Sequence, residues 1–390
     1  MDSDRLDRAL AERLVVAGHE LKVFVESAPL IAAMIADIQT ATKRVWLESY
    51  LFTNDSAGQA VAAALKERAR AGVDVRVLYD SVGSLSTPSA LFTEMQAAGV
   101  QVYAFHTVWE ALWQLSILRI LNRRHHRKLL VIDDGVAYFG GMNIVHQMEQ
   151  AKGERLPTSA GCRDVHVRLV GPRQAELAEN MDRLWRRLQK QPTSRQLRSW
   201  RRPTISSQGE NLHFFDSSPG FKHSRAARVF SQLIRRAKRS ITLSMAYFIP
   251  VAKIMRELGR ACRRGVLIRV IVPGKSDVNV VQRASRHCYA RLLRHGIRIF
   301  ERQDKMLHGK VMIVDNQWTL IGSCNLDSRS LWINRELFAV IRSPKMATVI
   351  RQVCAYEMRH SKQVTLADCR QLPWWQRLRD WAAWSFRWWL

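Results

Sequence analysis

The sequence predicts an α/β fold built from two similar halves, each with a sheet covered by helices on both of its faces. Two observations lead to this prediction. Segments in the first part of the chain recur in the same order in the second part, and each recurring segment alternates a helix with an apolar strand. Such alternation favours a mixed, largely parallel sheet between two helical layers. The two halves are expected to pack as mates related by a pseudo-twofold axis.

Four pairs of segments carry the repeat. They are 43–52 with 238–248, 67–79 with 260–272, 97–102 with 294–299, and 126–133 with 308–315. In the second pair a helix ends at Gly72 or Gly265, because glycine readily adopts the left-handed conformation that stops a helix. An apolar run typical of a buried strand follows each glycine. Four pairs in one order are hard to obtain by chance, which disfavours an unrelated second domain after a flexible hinge.

The domain boundaries follow from where this repeat begins and ends. Residues 190–211 are rich in Gln, Ser, Arg and Pro and show little periodicity, which is typical of a linker. The sequence therefore predicts a first half over 1–189, a linker over 190–211, a second half over 212–365, and a tail rich in Trp and Arg over 366–390.

The charge of the chain restricts its partners. The 390 residues include 61 Lys and Arg against 34 Asp and Glu, a net charge of +27, while 47% are hydrophobic. This hydrophobic content is that of a globular protein rather than a disordered one. The excess of positive charge favours a polyanionic partner, such as nucleic acid, anionic lipid or a phosphorylated metabolite, without choosing among them.

Several features that the sequence lacks indicate the cellular compartment of the protein. The six cysteines are scattered, with neither a CxxC pair nor zinc-binding spacing, so free thiols in a reducing compartment are expected. The N-terminus has no apolar segment of the kind that a signal peptide needs. No stretch approaches the roughly 20 apolar residues that span a bilayer. The expectation is a protein of cytoplasmic origin whose membrane contact is peripheral.

The fourth repeated pair is a duplicated His-x-Lys-x4-Asp motif. The candidate catalytic residues are His126, Lys128, Asp133, His308, Lys310 and Asp315. A glycine-containing turn follows each copy and ends in an asparagine, at Asn143 and Asn325. Because side chains alternate between the two faces of a strand, a His and a Lys two residues apart project from the same face. Two such pairs facing each other would form one compact site.

The chemistry of such a site suits a phosphodiester. One neutral imidazole can attack phosphorus while the other, protonated, donates to the leaving alkoxide, and the ammonium groups stabilise the equatorial oxygens. No metal or cofactor is expected, because the lysines and asparagines already supply positive charge and donors. A single copy of the motif would be weak support for catalysis. Two copies with identical spacing inside an independent repeat predict a catalytic site.

These residues resemble the signature of the phospholipase D superfamily, a duplicated HxKx4D followed by G(G/S)xN. The resemblance runs from about residue 30 to about residue 361 and is strongest to bacterial cardiolipin synthases, particularly the B type, which lack transmembrane helices. Further stretches that carry it are 47–52, 164–169, 246–250 and 322–330, the last leading to Asn334 and Glu336. It implies two phospholipase D-like α-β-α sandwich halves that share one active site.

The resemblance also implies roles for individual residues. His126 would be the nucleophile and His308 the acid and later the base, although the residues themselves leave the order of attack open. Glu336 and Asp164 would orient the two imidazoles. The phosphate oxygens would meet four side chains, Lys128, Lys310, Asn143 and Asn325. Asp133 and Asp315, although part of the motif, are expected to hold turns.

The implied reaction is cardiolipin synthesis, in which a phosphatidyl group passes from one phosphatidylglycerol to another through a covalent phosphohistidine and glycerol is released. The expected partners are phospholipid substrates and an anionic membrane, at the cytoplasmic face of the inner membrane. The sequence leaves open a nuclease or a phospholipid hydrolase of the same superfamily, and a non-enzymatic polybasic binder with a decayed site. It does not give the phosphatidyl donor, phosphatidylglycerol or phosphatidylethanolamine, nor the acceptor, the acyl preference or the oligomeric state.

Two further segments favour lipid over nucleic acid. The C-terminal 374–390 holds six of the 13 tryptophans, and helical spacing puts most of them on one face: Trp374, Trp375, Leu378, Trp381, Ala382, Trp388 and Trp389. This pattern is typical of a helix lying in a membrane interface, with a helix packed on the core as the alternative. The apolar segment 108–121 just before His126 is either a membrane-facing lip or an ordinary core helix.

Overall fold

Two eight-stranded mixed sheets form the protein, one in each half of the chain. The computed structural model describes residues 2–105, 123–146, 161–190, 209–217 and 224–388. The sequence-predicted lip over 108–121 and most of the predicted linker lie outside these described residues. Among the described residues, no helix combines the length and apolar character needed to cross a bilayer.

The first half contains five described helices and eight strands. The helices are α1 (Asp2–Ala11), α2 (Ser27–Gln39), α3 (Ser56–Arg70), α4 (Ser89–Ala97) and α5 (Gln174–Leu188). The strands are β1 (Leu14–Val16), β2 (His19–Phe24), β3 (Arg44–Ser49), β4 (Asp74–Asp80), β5 (Gln101–Phe105), β6 (Leu129–Ile132), β7 (Val136–Gly140) and β8 (His166–Val170). The predicted helix stop is present after α3, where Gly72 has a φ of 84°.

The second half repeats this arrangement. Its strands are β9 (Asn211–Ser217), β10 (Ser240–Met245), β11 (Leu267–Pro273), β12 (Arg298–Arg302), β13 (Lys310–Val314), β14 (Trp318–Gly322), β15 (Glu336–Arg342) and β16 (Ser361–Val364). Its described helices are α6 (Arg225–Arg236), α7 (Ala252–Arg263), α8 (Asn279–Arg294), α9 (Ser328–Trp332), α10 (Pro344–Arg359), α11 (Leu366–Gln371) and α12 (Trp374–Ser385).

The strand order confirms the internal repeat. The first sheet runs β1-β2-β8-β7-β6-β3-β4-β5, and the second, read in the same sense, runs β9-β15-β14-β13-β10-β11-β12-β16. Seven strands therefore correspond one to one, with β1 added at one edge of the first sheet and β16 at the opposite edge of the second. The predicted α/β fold of two similar halves is confirmed.

The prediction that the sheets are largely parallel was wrong. Among the described strands, parallel pairing is confined to β3, β4 and β5 and to their counterparts β10, β11 and β12. The motif strands β6 and β13 form hairpins with β7 and β14. A tight turn can connect only antiparallel strands, so the hairpins that follow each motif make the rest of each sheet antiparallel.

One hydrophobic cluster lies between the two halves, in addition to the clusters within each half. Along β6, Leu129 and Val131 point into a cluster that also contains Val311 and Ile313 of β13, whereas Leu130 and Ile132 face the helices of the first half. This alternation is the period of two expected for a strand with both faces covered. Because the motif strands of both halves border the same core, the residues that precede them are brought together at one place.

The tryptophan-rich tail has features of both structures that the sequence allowed, a helix packed on the core and a helix with an exposed apolar face. Helix α12 packs on the second half through Ala383 and Trp384, next to Val281 and Ala284 of α8. On its other side Trp374, Trp375, Leu378 and Trp381 are exposed, as is Trp388 beyond the helix end. Trp389 lies outside the described residues. The helix is therefore docked on the core through one face and presents large apolar side chains outward on the other.

Candidate active site

The two motif histidines meet where the two halves join. Each histidine lies two or three residues before a buried motif strand, and its backbone is held by the opposite half. The His126 N–H donates to the carbonyl of Arg335 at 3.0 Å, and the His308 N–H donates to the carbonyl of Arg163 at 2.7 Å. The two bonds correspond under the pseudo-twofold, so each half fixes the position of the other half's histidine.

Each imidazole also contacts a carboxylate from the opposite half. His126 Nδ1 lies 3.1 Å from both carboxylate oxygens of Glu336, and 3.1 Å from the carbonyl of Ser323. His308 Nδ1 lies 2.7 Å from Asp164 Oδ2. The structure thus brings together the two histidines and the two carboxylates that the sequence singled out. Such contacts fix the ring orientation and decide which nitrogen faces substrate.

The motif lysines are buried beside the imidazoles. Lys128 is 2% and Lys310 1% exposed. Lys128 Nζ donates to the carbonyl of His126 at 2.7 Å. Lys310 Nζ donates to the carbonyl of His308 and to Asp164 Oδ2 at 3.2 Å, and lies 2.7 Å from His308 Nδ1. Two cations enclosed in this way make a strong site for an anion.

The electrostatics of the site favour the uncharged forms of Lys128 and of both motif histidines. Burial, and then the charge of Lys310, lower the pKa of Lys128 to about 7. Burial also lowers the pKa of His126 well below its usual value, and the two lysines act in the same direction. The pKa of His308 is lowered by burial and by Lys310, with Asp164 opposing the shift. A bound phosphodiester would add negative charge, which opposes these three shifts.

The two carboxylates differ in their charge state. Burial raises the pKa of Glu336 to about 7, against the opposing influence of Lys128. Burial also raises the pKa of Asp164. The charge of Lys310 and the hydrogen bond of His308 outweigh this effect, so the pKa of Asp164 is lowered overall. The site is therefore asymmetric, with a firmly ionised carboxylate at His308 and a readily protonated one at His126.

The two asparagines occupy equivalent positions in the two halves. Asn143 Oδ1 accepts from the backbone N–H of Leu51, and Asn325 Oδ1 from that of Tyr247, both at 3.3 Å. Among the described residues, the Nδ2 group of Asn325 is buried with no hydrogen-bond partner. An orphaned buried donor is costly unless a ligand satisfies it. This amide has the chemistry needed to bind a phosphate oxygen.

Asp133 and Asp315, which the motif placed among the candidate catalytic residues, lie away from the motif histidines. Each carboxylate accepts from three consecutive backbone N–H groups around the start of the neighbouring strand, β3 for Asp133 and β10 for Asp315. Asp133 accepts from residues 42–44 at 2.8 to 2.9 Å, and Asp315 from residues 238–240 at 2.7 to 2.9 Å. Both follow the motif strands at the end opposite the histidines, so they hold turns.

Sequence reasoning missed two tyrosines beside the histidines. The ring of Tyr50 lies 5.1 Å from that of His126, and the Lys128 ammonium lies 5.2 Å from its centre. The ring of Tyr247 lies 6.3 Å from that of His308. Tyr50 directly follows the repeated strand β3 and Tyr247 lies two residues after its counterpart β10, and this position was the available signal. They form aromatic walls beside the two imidazoles.

A cavity of about 210 Å³ opens next to His308. Its lining includes Asn143 and Asp164 from the site, and Ser27 and Lys305 farther out. The cavity therefore gives a small polar group access to the imidazole of the second motif. In the described part of the chain, no cluster of three or more His, Cys, Asp or Glu side chains is placed to hold a metal ion.

Comparison with known proteins agrees with this geometry. A family model described as "Cardiolipin synthase, PLD-like domain" matches residues 34–157 and 230–356, one match in each half. A cardiolipin synthase of Halalkalibacterium halodurans is 29% identical over 381 residues, covering 96% of this chain and 73% of the relative. Cardiolipin synthase A of Pseudomonas entomophila is 30% identical over 358 residues, covering 91% and 72%.

A solved structure shows the same fold over the whole chain. The phosphatidylserine synthase of Haemophilus influenzae superposes with a TM-score of 0.69 at 16% identity, and the match covers 100% of both chains. At this identity the likeness concerns the fold alone. The two family-model matches, the duplicated motif and the shared site together show that the chain belongs to the phospholipase D superfamily, in the PLD-like domain family of the cardiolipin synthases.

Proposed function

We propose that the protein is a cardiolipin synthase that transfers a phosphatidyl group from one phosphatidylglycerol to another, with release of glycerol, through a phosphohistidine on His126. Family membership supports the coarser statement, phosphatidyl transfer between phospholipids. The observation that carries the finer one is the pair of imidazoles, each with a carboxylate on Nδ1 and a buried lysine beside it.

His126 has the surroundings of a nucleophile. Its Nδ1 faces two acceptors, the Glu336 carboxylate and the Ser323 carbonyl, so Nδ1 carries the proton and the lone pair resides on Nε2. The lowered pKa of His126 keeps that lone pair free. In the proposed first step Nε2 attacks phosphorus, a P–N bond forms, and the P–O bond to the leaving glycerol breaks.

His308 has the surroundings of an acid and base. Asp164 is ionised and lies 2.7 Å from its Nδ1, and this contact, together with an anionic substrate, favours the protonated ring. In the first step His308 Nε2 gives its proton to the leaving glycerol oxygen. In the second it takes a proton from the glycerol hydroxyl of another phosphatidylglycerol, whose oxygen attacks phosphorus as the P–N bond breaks.

The lysines and asparagines would stabilise the charge that develops on phosphorus. Lys128 and Lys310 are held by the backbone carbonyls of their own motif histidines, so little reorganisation is needed during reaction. The unsatisfied amide of Asn325 adds a donor. We propose Asn143 for the equivalent role in the first half.

The proposed location is peripheral, at the cytoplasmic face of the inner membrane. The exposed tryptophans of α12 and the net charge of +27 support contact with anionic lipid. We also propose that 366–390 acts as a membrane-facing tail attached to the second half.

The test is turnover of labelled phosphatidylglycerol in vesicles, with a chelator present. Wild type is expected to yield cardiolipin and glycerol, whereas His126→Ala yields neither. The control His360→Ala removes an exposed imidazole outside the site and should behave as wild type. Phosphatidic acid as the only product would contradict the synthase and indicate a hydrolase. No lipid turnover, together with cleavage of single-stranded DNA, would favour the nuclease that the charge also suits.

A further inference from the structure

A second, larger cavity lies away from the histidines, between α8 and the tail. Its volume is about 1210 Å³, and it is bordered by α8, β16, α11 and α12. We call this cavity the tail groove. Helix α12 runs along α8, so that the start of α12 lies near the end of α8 and the tail groove opens between them.

The positive charge of the tail groove is only partly neutralised. Two of its cations are paired: Arg286 with Glu301 at 3.1 Å, and Lys362 with Asp368 at 2.8 Å. The remaining charged side chains of the lining are the carboxylate of Asp380, whose pKa is raised by burial, and three further cations, Arg291, Arg294 and Arg377. In the described ranges of the chain, no carboxylate forms an ion pair with any of these three. Arginine presents a planar fork of donors that matches phosphate oxygens, so three unpaired guanidinium groups around one cavity favour a phosphate ligand.

The outer wall of the tail groove is apolar and exposed. Trp374 is 74%, Leu378 52% and Trp381 52% exposed, and all three line the cavity. Their spacing of four and three residues places them in one row along α12. Of the ten large hydrophobic side chains that are exposed in the described chain, six lie in 374–388. Such a concentration marks a surface that meets another apolar phase.

The combination fits a lipid better than a nucleic acid. A phospholipid presents a charged phosphate next to acyl chains, and the tail groove presents guanidinium groups next to a row that includes an aliphatic leucine. Tryptophan and arginine together are typical of the membrane interface, where the ring lies at the level of the headgroups. Nucleic acid would use the charge and the rings but would gain nothing from Leu378.

The tail groove is connected to the active site by packing. Ile249, Val281, Ala284 and Ala383 form a small buried cluster, and Tyr247 and Trp384 pack against it. Tyr247 is the aromatic wall beside His308. A lipid held in the tail groove therefore lies on the part of the second half that also forms one side of the catalytic site.

We propose that the tail groove binds the headgroup of an anionic membrane phospholipid, with Arg291, Arg294 and Arg377 holding its phosphate while Trp374, Leu378 and Trp381 lie against its acyl chains. This deepens the proposed peripheral location by naming the residues that recognise lipid charge. It does not depend on the proposed reaction.

The test is vesicle flotation of the full chain in the His126→Ala background, which separates binding from turnover. Vesicles of phosphatidylcholine alone are compared with vesicles that also contain phosphatidylglycerol. The triple variant Arg291→Gln, Arg294→Gln, Arg377→Gln is expected to weaken partitioning to the anionic vesicles on the order of 10- to 100-fold. The double variant Trp374→Ser, Trp381→Ser should weaken partitioning to both kinds of vesicle.

The control removes the same charge elsewhere. Lys253, Arg256 and Arg263 are exposed on α7, which contacts α6, and their triple Gln variant should change binding by less than about threefold. Equal losses in the two triple variants would overturn the proposal, because net charge alone would then explain binding. Tighter binding of single-stranded DNA than of the anionic vesicles, lost in the same groove variant, would also overturn it.

Discussion

The lysine of the first motif is the residue at which pH should act most directly. Its pKa is lowered to about 7 by burial and by Lys310, so in the free enzyme the ammonium is lost as the pH rises above about 7. If Lys128 stabilises phosphate oxygens only when charged, kcat/KM must fall on the alkaline side.

We therefore predict an alkaline limb near pH 7 in the kcat/KM profile of wild type, which Lys128→Arg shifts upward because a guanidinium remains charged. The variant will be slower at its optimum, since the guanidinium does not fit the position of the ammonium. The measurement is cardiolipin formation from phosphatidylglycerol vesicles across the pH range. An unchanged alkaline limb in Lys128→Arg would show that another group titrates there.

Glu336 illustrates how a functional residue can cost stability. Its folded-state pKa is raised from its ordinary 4.5 to about 7. The stability linked to its protonated form is present below the unfolded pKa and is lost as the pH rises through about 7. At pH 8 Glu336→Gln should therefore unfold at a higher temperature than wild type, while kcat drops by about 10²- to 10⁴-fold because the imidazole loses its orienting carboxylate.

Asp164→Asn is the matched comparison at His308. The pKa of Asp164 is lowered, so its ionised form stabilises the folded state above its unfolded pKa, and this contribution is lost as the pH falls. Loss of activity should here accompany a lower unfolding temperature at pH 8. If both variants were destabilised alike, the electrostatic asymmetry of the site would be wrong.

At the scale of elements, the motif strand separates two tasks. The histidine and lysine at its start face the site, and the aspartate after its end holds three N–H groups of a neighbouring strand. Asp133 and Asp315 adopt φ values of 45° and 53°, a region that asparagine and aspartate tolerate better than other residues except glycine.

Asp315→Ala should therefore lower the free energy of unfolding by about 1 to 3 kcal/mol, because three hydrogen bonds are lost and alanine tolerates the conformation poorly. Asp315→Asn keeps one carbonyl acceptor and should lose less. Denaturant unfolding measures the effect, and kcat of the folded fraction should stay within about twofold of wild type. A large loss of kcat in the stable Asp315→Asn protein would return this residue to the catalytic set.

Sequence patterns predicted some elements and could not predict others, for physical reasons. Apolar runs and repeated glycines indicated the strands and helix ends of both halves. The pairing direction was not accessible, because a buried strand has the same apolar run whether its neighbours are parallel or antiparallel. The sequence also could not predict which face of α12 packs on the core. Periodicity shows that the tryptophans share a side but not whether that side meets the core. Ala383 and Trp384 are the residues that dock it.

At the scale of the whole molecule, the site exists only when both halves are folded together. Each histidine is held at its backbone and at its imidazole by the other half, through the adjacent residues Arg335 and Glu336 or Arg163 and Asp164. The hydrophobic cluster between the two sheets holds the halves in the relative position that these contacts require. The duplicated motif predicted that the copies meet. The contacts between halves come from sequence positions about 140 to 210 residues apart, which spacing alone cannot reveal.

The central claim is that His126 carries the phosphatidyl group during turnover. Wild type should be mixed with phosphatidylglycerol vesicles and quenched in denaturant at neutral pH, because acid cleaves a phosphoramidate and alkali cleaves the acyl esters. Its peptides are then analysed by mass spectrometry, with His126→Ala and His308→Ala alongside. We predict a phosphatidyl adduct on the peptide containing His126 in wild type and none in His126→Ala. An adduct on His308 in wild type, or cardiolipin formed at the wild-type rate by His126→Ala, would contradict the mechanism.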